Sequence, residues 1–376
     1  MYLRALTSEI LHWINQPEIL ILYGARQVGK TTLLKEMIKT REDSILLNCE
    51  LPMVAGILEN RDLKAIQSLF GQFRIICLDE AQRVQNIGSI LKLIYDELPV
   101  YKIIATGSSS FELADRITEP LTGRNIKFRL YPLSLSEIEK NLGWLEVLNK
   151  LNELLIYGSY PGIIDLNNPD RIAKLAELSS DYLYRDILIY ENVKHPTVIR
   201  NLLKALALQV GNQVSVSELS GMLGITRPTV EKYLDLLEKS FVIFRLPSYS
   251  RNLRNEIRKS QKIYFYDNGI LNAITGNFSM IQNRSDAGFL WENFCMTERM
   301  KVNSLKSAGS TNMYFWRTYD GAEIDLIEET GGMLQAFEFK WNIRRKPMLP
   351  ASFSEKYKVT SMSVVSPETL YLIKEN

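Results

Sequence analysis

The sequence predicts an α/β protein of several domains, and three observations predict it. An apolar strand runs through a glycine-rich turn into a helix near the amino terminus, two helices flank a single glycine further on, and three strands follow a long helix late in the chain. At 376 residues the chain exceeds one ordinary core, and its 46% apolar residues suffice for two or three. The formal charge of +2 and a pI near 8.2 provide no global field toward nucleic acid or membrane, so any such contact must come from a local patch. Cys49, Cys77 and Cys295 are odd in number, far apart and set in apolar stretches, which reads as buried, reduced thiols and a cytoplasmic location. With only His12 and His195 and no cysteine pair, the sequence speaks against a zinc site. The opening "MYLRALTSEILHWINQ" lacks the apolar run of a signal peptide, and nothing approaches about 18 consecutive apolar residues, so no membrane insertion is expected. The expected divisions are 1–133, 134–200, 201–268 and 269–376.

The first division contains "ILILYGARQVGKTTLLKEMI", an apolar strand, then G-x-x-x-x-G-K-T, then a helical pattern. The loop Gly24, Ala25, Arg26, Gln27, Val28, Gly29, Lys30, Thr31 and Thr32 is expected to wrap phosphate: the glycines turn amides toward it, Lys30 reaches the β- and γ-phosphates, and Thr31 offers a hydroxyl to Mg²⁺. This is an ATP site. "FRIICLDEAQRV" is a continuous apolar strand ending in two acids, as buried parallel strands do at a ligand-binding edge. Asp79 is placed to hold Mg²⁺ through water and Glu80 to polarise the attacking water. "YKIIATGSSSFELADR" is a further strand, after which Ser108 or Ser109 is placed either to sense the γ-phosphate or to cap a helix. Arg124 reads either as a finger for a neighbouring subunit's ATP or as a plain surface arginine. Strands and helices alternate to residue 130, giving a doubly wound parallel sheet.

Residues 134–200 read as helical connector or lid around "YGSYPGII", with Tyr182, Arg185 and Asp186 on a packed helix edge. In "SVSELSGMLGITRPTVEKYLDLLEKSFVIFRL", Ser217 is expected to cap a helix carrying Leu219, Met222 and Leu223. Gly224 breaks that helix, and Thr226 caps the next, with Pro228 in its first turn and Val230, Leu234 and Leu237 inward. This is helix–turn–helix spacing, and strands "FVIFRL" and "IYFYD" complete a winged helix. Candidate DNA contacts are Arg227 and Lys232 on the second helix and Arg251, Arg254, Arg258 and Lys259 in a loop that also holds Lys262. Glu231, Asp235 and Glu238 on the same helix would repel phosphate, which favours the competing reading of an interdomain packing module.

In the last division, "GFLWENFCMTERMKV" is helical, with Phe289, Asn293, Met296 and Met300 on one stripe and Glu292 beside it. "NMYFWRTYDGAEIDLIEETGGMLQAFEFKW" reads as three strands. If Gly331 and Gly332 make a two-residue hairpin loop, Thr330 pairs with Met333, Asp325 faces Glu338 and Glu323 faces Lys340, while Ile324, Leu326, Phe337 and Phe339 share the apolar face. Two carboxylates facing across a ladder repel unless a divalent metal bridges them, and Lys340 would then serve phosphodiester hydrolysis. The D…E-x-K pattern resembles the core of the PD-(D/E)xK nuclease superfamily, with Ile324 where the motif has proline. The resemblance implies Glu292 as the first-helix acid of a Mg²⁺ site with Asp325 and Glu338. The competing reading is a docking domain that does not cut, with a Glu323–Lys340 salt bridge.

The order "GARQVGKTTLL", "LDEAQRV", "ATGSSS", "LTGR", "GSYPGII", "YLYRDI", "GITRPTVEKYLDLLEKSF", "KIYFYDNG", "LWENF", "FEFKW" resembles, over nearly the whole chain, a family of archaeal and bacterial AAA-type ATPases. The resemblance implies an N-terminal P-loop ATPase domain, a winged helix and a C-terminal restriction-nuclease-like α/β domain. It departs at the serines after the third strand, where other AAA proteins carry asparagine.

Overall fold

The computed structural model describes residues 2–107, 121–182, 196–250, 261–306, 311–343 and 347–374. The chain packs as two compact units, Met1–Leu133 with Lys239–Phe241, and Ser134–Glu238 with Val242–Asn376.

In the first unit the elements run α1 (Leu6–Trp13), β1 (Ile19–Tyr23), α2 (Lys30–Ile38), β2 (Ser44–Asn48), α3 (Pro52–Glu59), α4 (Leu63–Phe70), β3 (Ile75–Asp79), α5 (Ile87–Glu97), β4 (Lys102–Gly107) and β5 (Asn125–Arg129). The described strands form one parallel sheet in the order β2-β3-β4-β1-β5. Every residue of β1 and β3 is buried, which is why both read as unbroken apolar runs instead of alternating ones. The apolar stripes of α2 (Leu33, Leu34, Met37) and α5 (Ile87, Ile90, Leu91, Ile94) are buried at helical spacing. Parallel strands place Tyr23, Asp79 and Gly107 on the same carboxyl edge of the sheet.

The second unit begins with α6 (Leu135–Leu142), α7 (Trp144–Asn149), α8 (Leu151–Tyr157) and α9 (Asn168–Glu177). Ser134 and Glu137 satisfy each other's backbone N–H groups in a capping box that starts α6. Next come α10 (Pro196–Leu208), β6 (Gln213–Val214), α11 (Val216–Leu223), α12 (Arg227–Lys239), β7 (Ile243–Leu246) and β8 (Gln261–Phe265), with β6-β8-β7 antiparallel. Val230, Leu234 and Leu237 are buried as expected, and Gly224 ends α11 in the left-handed region. Two expectations are corrected here. The cap of α11 is Ser215, whose hydroxyl accepts from the Glu218 N–H, because the helix starts two residues earlier than Ser217 implied. Met222 is exposed, since α11 buries chiefly Leu219.

The chain continues through α13 (Asn268–Thr275), α14 (Ala287–Ser304), β9 (Thr311–Arg317), β10 (Glu323–Thr330), β11 (Met333–Phe339), α15 (Ala351–Ser354) and β12 (Val359–Val365). The sheet order is β12-β11-β10-β9, antiparallel except for the parallel β11–β12 pair. Gly331 and Gly332 both have positive φ and close the hairpin with Thr330 opposite Met333 and Leu326 opposite Phe337, the expected register. The expected strict alternation fails further along. The β9–β10 pairing shifts between Ile324 and Ile327, and these two residues share one core with Trp316, Leu334, Ala336 and Phe353. Leu326 does not belong to that core.

Helix α14 also differs from expectation. Phe289 is 44% exposed and Met300 is only half-buried, whereas Leu290, Trp291, Phe294, Cys295 and Met296 are buried. The single-stripe reading fails because α14 is covered on two sides. Asn293 bonds the Phe265 backbone of β8 on one side, and Arg299 forms a fully buried 2.6 Å ion pair with Glu328 of β10 on the other.

Candidate functional site

In the first unit the glycine-rich loop joins β1 to α2 on the carboxyl edge of the sheet. Gly24 is required by a close approach: a Cβ there would lie 2.0 Å from the carbonyl oxygen of Leu130, whose N–H donates to Tyr23. Gly29 (φ 97°) and Gln27 (φ 57°) both occupy the left-handed region, which glycine adopts freely and Gln27 only at a steric cost. Lys30 is buried, and its ammonium donates to the carbonyls of Gly24 and Ala25 at 2.9 Å each. Arg26 and Gln27 stand at the loop's outer turn, Val28 is buried, and Thr32 faces outward on α2. Arg4 donates to the carbonyls of Val28 and Tyr131 at 2.7 and 2.6 Å, tying the loop to the strand edge.

Asp79 is gripped from two sides. Thr31 donates to one carboxylate oxygen at 2.8 Å, and Thr106, fully buried on β4, donates to the other at 2.6 Å. The N–H of Glu80 donates to the Thr106 hydroxyl, and Gln82 donates to the Glu80 carboxylate. Glu80 too has a left-handed backbone (φ 53°), one more strained residue beside the phosphate loop. The fold thus brings Thr31 and Asp79 together, with Lys30 and Glu80 next to them in the chain. Thr106, Gln82 and Arg4 were missed. Thr106 was legible as the polar residue following Ala105, which pairs with Leu78 next to Asp79. Thr31 and Asp79, a hydroxyl and a carboxylate on one edge, suit Mg²⁺.

Cys49 and Cys77 are buried and free, with thiols pushed up to about 12 by burial and then by the charge of Asp79. Ser108 and Ser109 lie outside the described residues. Arg124 does not join the phosphate loop. Its carbonyl accepts from Ile19 at the start of β1, the opposite edge of the sheet, and its guanidinium pairs with Asp96 at 3.0 Å over the ring of Tyr95.

The second unit carries a cluster of acids and lysines. Asp325 and Glu338 meet on Lys340, at 3.0 and 2.6 Å, and Asp325 also accepts the Phe339 N–H. Glu323 does not pair with Lys340, as the competing reading required; it pairs with Lys262 at 2.6 Å and Arg317 at 3.6 Å, and the β10–β11 pairing ends at Leu326–Phe337, short of Glu323. Glu292 accepts from Lys262 at 3.1 Å and from the Tyr264 hydroxyl at 2.7 Å. Lys262 is therefore corrected from a loop cation to a buried residue of β8, 2% exposed. Sequence reasoning missed its role and that of Tyr264, since only the antiparallel β7–β8 pairing aims these alternate residues at α14.

The electrostatics follow from the packing. Burial, then the neighbouring Asp325 charge, pushes Glu338 up to about 7. Burial also raises Glu292 despite Lys262. Burial disfavours the charged form of Lys262, but the charges of Glu292, Glu323 and Asp325 outweigh it and raise its pKa. The expected metal ligands Glu292, Asp325 and Glu338 do not fit a divalent ion here. One oxygen of each already accepts from donors of the protein, Glu292 Oε1 from Lys262 and Tyr264, Asp325 Oδ2 from Lys340 and the Phe339 amide, and Glu338 Oε2 from Lys340, and no group of three Asp, Glu, His or Cys among the described residues is arranged to hold a metal.

On α12, Arg227 and Lys232 are exposed. Arg251, Arg254, Arg258 and Lys259, with Arg185 and Asp186, lie outside the described residues. Glu231, Asp235 and Glu238 all turn to Arg245 of β7, at 3.5, 2.6 and 2.5 Å. No helix among the described residues is long and apolar enough to cross a membrane.

Residues 16–139 match the family model described as AAA domain. Residues 148–280 match a domain of unknown function (DUF8612), and residues 287–375 match another (DUF4143). An uncharacterised protein of Mycobacterium tuberculosis is 28% identical over 335 residues, spanning 87% of this chain and 71% of that protein. An uncharacterised protein of Methanocaldococcus jannaschii is 28% identical over 277 residues, spanning 66% of this chain and 60% of that protein. Among solved structures, a Walker-type ATPase of Pyrococcus abyssi matches at 22% identity with a TM-score of 0.49, over 73% of this chain and 96% of that one.

Proposed function

We propose that the chain is a Mg²⁺-dependent ATPase whose nucleotide cycle works a winged helix and a nuclease-like domain on DNA. The observation that carries the ATPase reading is Asp79 fixed between Thr31 and Thr106 beside the buried Lys30. Lys30 would turn from the loop carbonyls to phosphate oxygens, and Glu80, steadied by Gln82, would orient the attacking water and take its proton. Thr31 and Asp79 would hold Mg²⁺, which supplies positive charge against the phosphates.

The order α10-β6-α11-α12-β7-β8 with its antiparallel sheet supports the winged-helix reading. Arg245 removes much of the objection to DNA, because it draws in the three acids of α12 and leaves Arg227 and Lys232 exposed on that helix. The order α14-β9-β10-β11-α15-β12 supports the nuclease-like reading of the last domain. The test is fluorescence anisotropy with labelled duplex DNA between about 50 and 200 mM salt. Affinity that falls with salt, and that ATP changes in the wild type but not in Lys30→Ala, supports the proposal; salt-insensitive or undetectable binding overturns its DNA part. A second reading, an ATP-gated switch that docks a protein and never cuts, is favoured by one observation: both lysines of the cluster already occupy its carboxylates.

A further inference from the structure

Lys262 is 2% exposed, and its ammonium lies 2.6 Å from Glu323, 3.1 Å from Glu292 and 5.6 Å from the centre of the Phe315 ring. It comes from β8, outside the helix and strands that supply the acids. We infer that Lys262 is a built-in cation that takes the place of a divalent metal in the carboxylate cluster and keeps Mg²⁺ and Mn²⁺ out of it.

The chemistry of the donor set supports this. A Mg²⁺-sized ion needs about six oxygen ligands with free lone pairs at close range. Glu292 and Glu323 already share one ammonium, Glu292 also accepts the Tyr264 hydroxyl, and Asp325 accepts both an amide and Lys340. A doubly charged ion entering between Glu292 and Glu323 would meet a fixed positive charge that has no route to solvent. Lys340 does not play this part, being 38% exposed. Gly211 also bears on the geometry: a Cβ there would stand 3.1 Å from Glu292 Oε1, so glycine at this position leaves clear the space in which the carboxylate meets Lys262. The domain would then grip its target through the fold while its acids stay internally neutralised.

The inference rests on the nuclease-like reading only for the expectation of a metal; a metal titration needs no DNA, so either can fail alone. Nucleotide-free protein is titrated with Mn²⁺ and followed by electron paramagnetic resonance. Wild type is expected to show no saturable site that Glu292→Gln removes, whereas Lys262→Met gains one, and Lys262→Met with Glu292→Gln loses it again. A saturable site in wild type that Glu292→Gln abolishes overturns the inference, and this arm stands even if Lys262→Met fails to fold. A folded Lys262→Met, judged by an unchanged circular dichroism spectrum and cooperative thermal unfolding, that gains no Mn²⁺ site overturns it too.

Discussion

Thr106 on β4 donates its hydroxyl to Asp79 on the neighbouring β3 at 2.6 Å, so the acid that would face Mg²⁺ is aimed by a residue one strand away. Groups that orient a ligand side chain typically carry about 10–100-fold of its effect. Thr106→Val, which keeps the shape and removes the donor, should lower ATP turnover by about 10-fold and raise the Mg²⁺ concentration needed for half-maximal rate. Unchanged Mg²⁺ dependence in steady-state assays would show that Thr31 alone suffices to aim Asp79.

The two loop glycines should differ in cost. Gly24→Ala drives a methyl into the Leu130 carbonyl on the adjoining strand edge and should destabilise the first unit by about 3 kcal/mol. Gly29→Ala meets nothing closer than 3.8 Å and pays chiefly for its φ of 97°, about 1–2 kcal/mol. Urea denaturation of both variants checks the order; equal losses would remove the close-approach argument.

Asp267 caps α13 while fully buried, and burial pushes it up to about 6, against the opposing pull of the Ser159 N–H and of Lys301. A folded pKa raised above the ordinary value near 4 contributes stability that is complete below pH 4 and is lost as pH rises through 6. Asp267→Asn keeps an acceptor for the cap and should abolish this component. The Tm difference, variant minus wild type, should therefore grow between pH 4 and pH 7 in thermal melts; a constant difference would contradict the assignment.

Arg245 holds three acids of α12. Arg245→Met should release Glu231, Asp235 and Glu238 toward any phosphate approaching that helix and weaken duplex binding several-fold at low salt, with a smaller effect at high salt. Anisotropy titrations at two salt concentrations check this, and unchanged affinity would mean that DNA does not approach α12.

The parts of the fold that were legible rest on residues whose local demands are strict. The Gly331–Gly332 turn, needing two positive φ values, fixed the hairpin register down to Leu326 and Phe337. The phosphate loop and the acid-ended β3 were legible because a buried parallel strand leaves a continuous apolar signature. What failed was counting past the end of the ladder: β10 and β11 pair only as far as Leu326 and Phe337, and Glu323 meets Lys262 instead of Lys340. Lys262 itself was illegible as a cluster residue, since a lysine beside a basic loop carries no sign that its strand will aim it at a helix 30 residues away. Phe289 misled for the opposite reason, because a helix covered on two sides has no single apolar stripe.

The central claim is that Lys30, Thr31, Asp79 and Glu80 form a working ATPase, and steady-state ATP hydrolysis tests it most directly. The account predicts Mg²⁺-dependent turnover in wild type, none above background in Lys30→Ala, and in Glu80→Gln retained ATP binding with turnover lowered by at least about 100-fold. Turnover in Lys30→Ala equal to that of the wild type would contradict it.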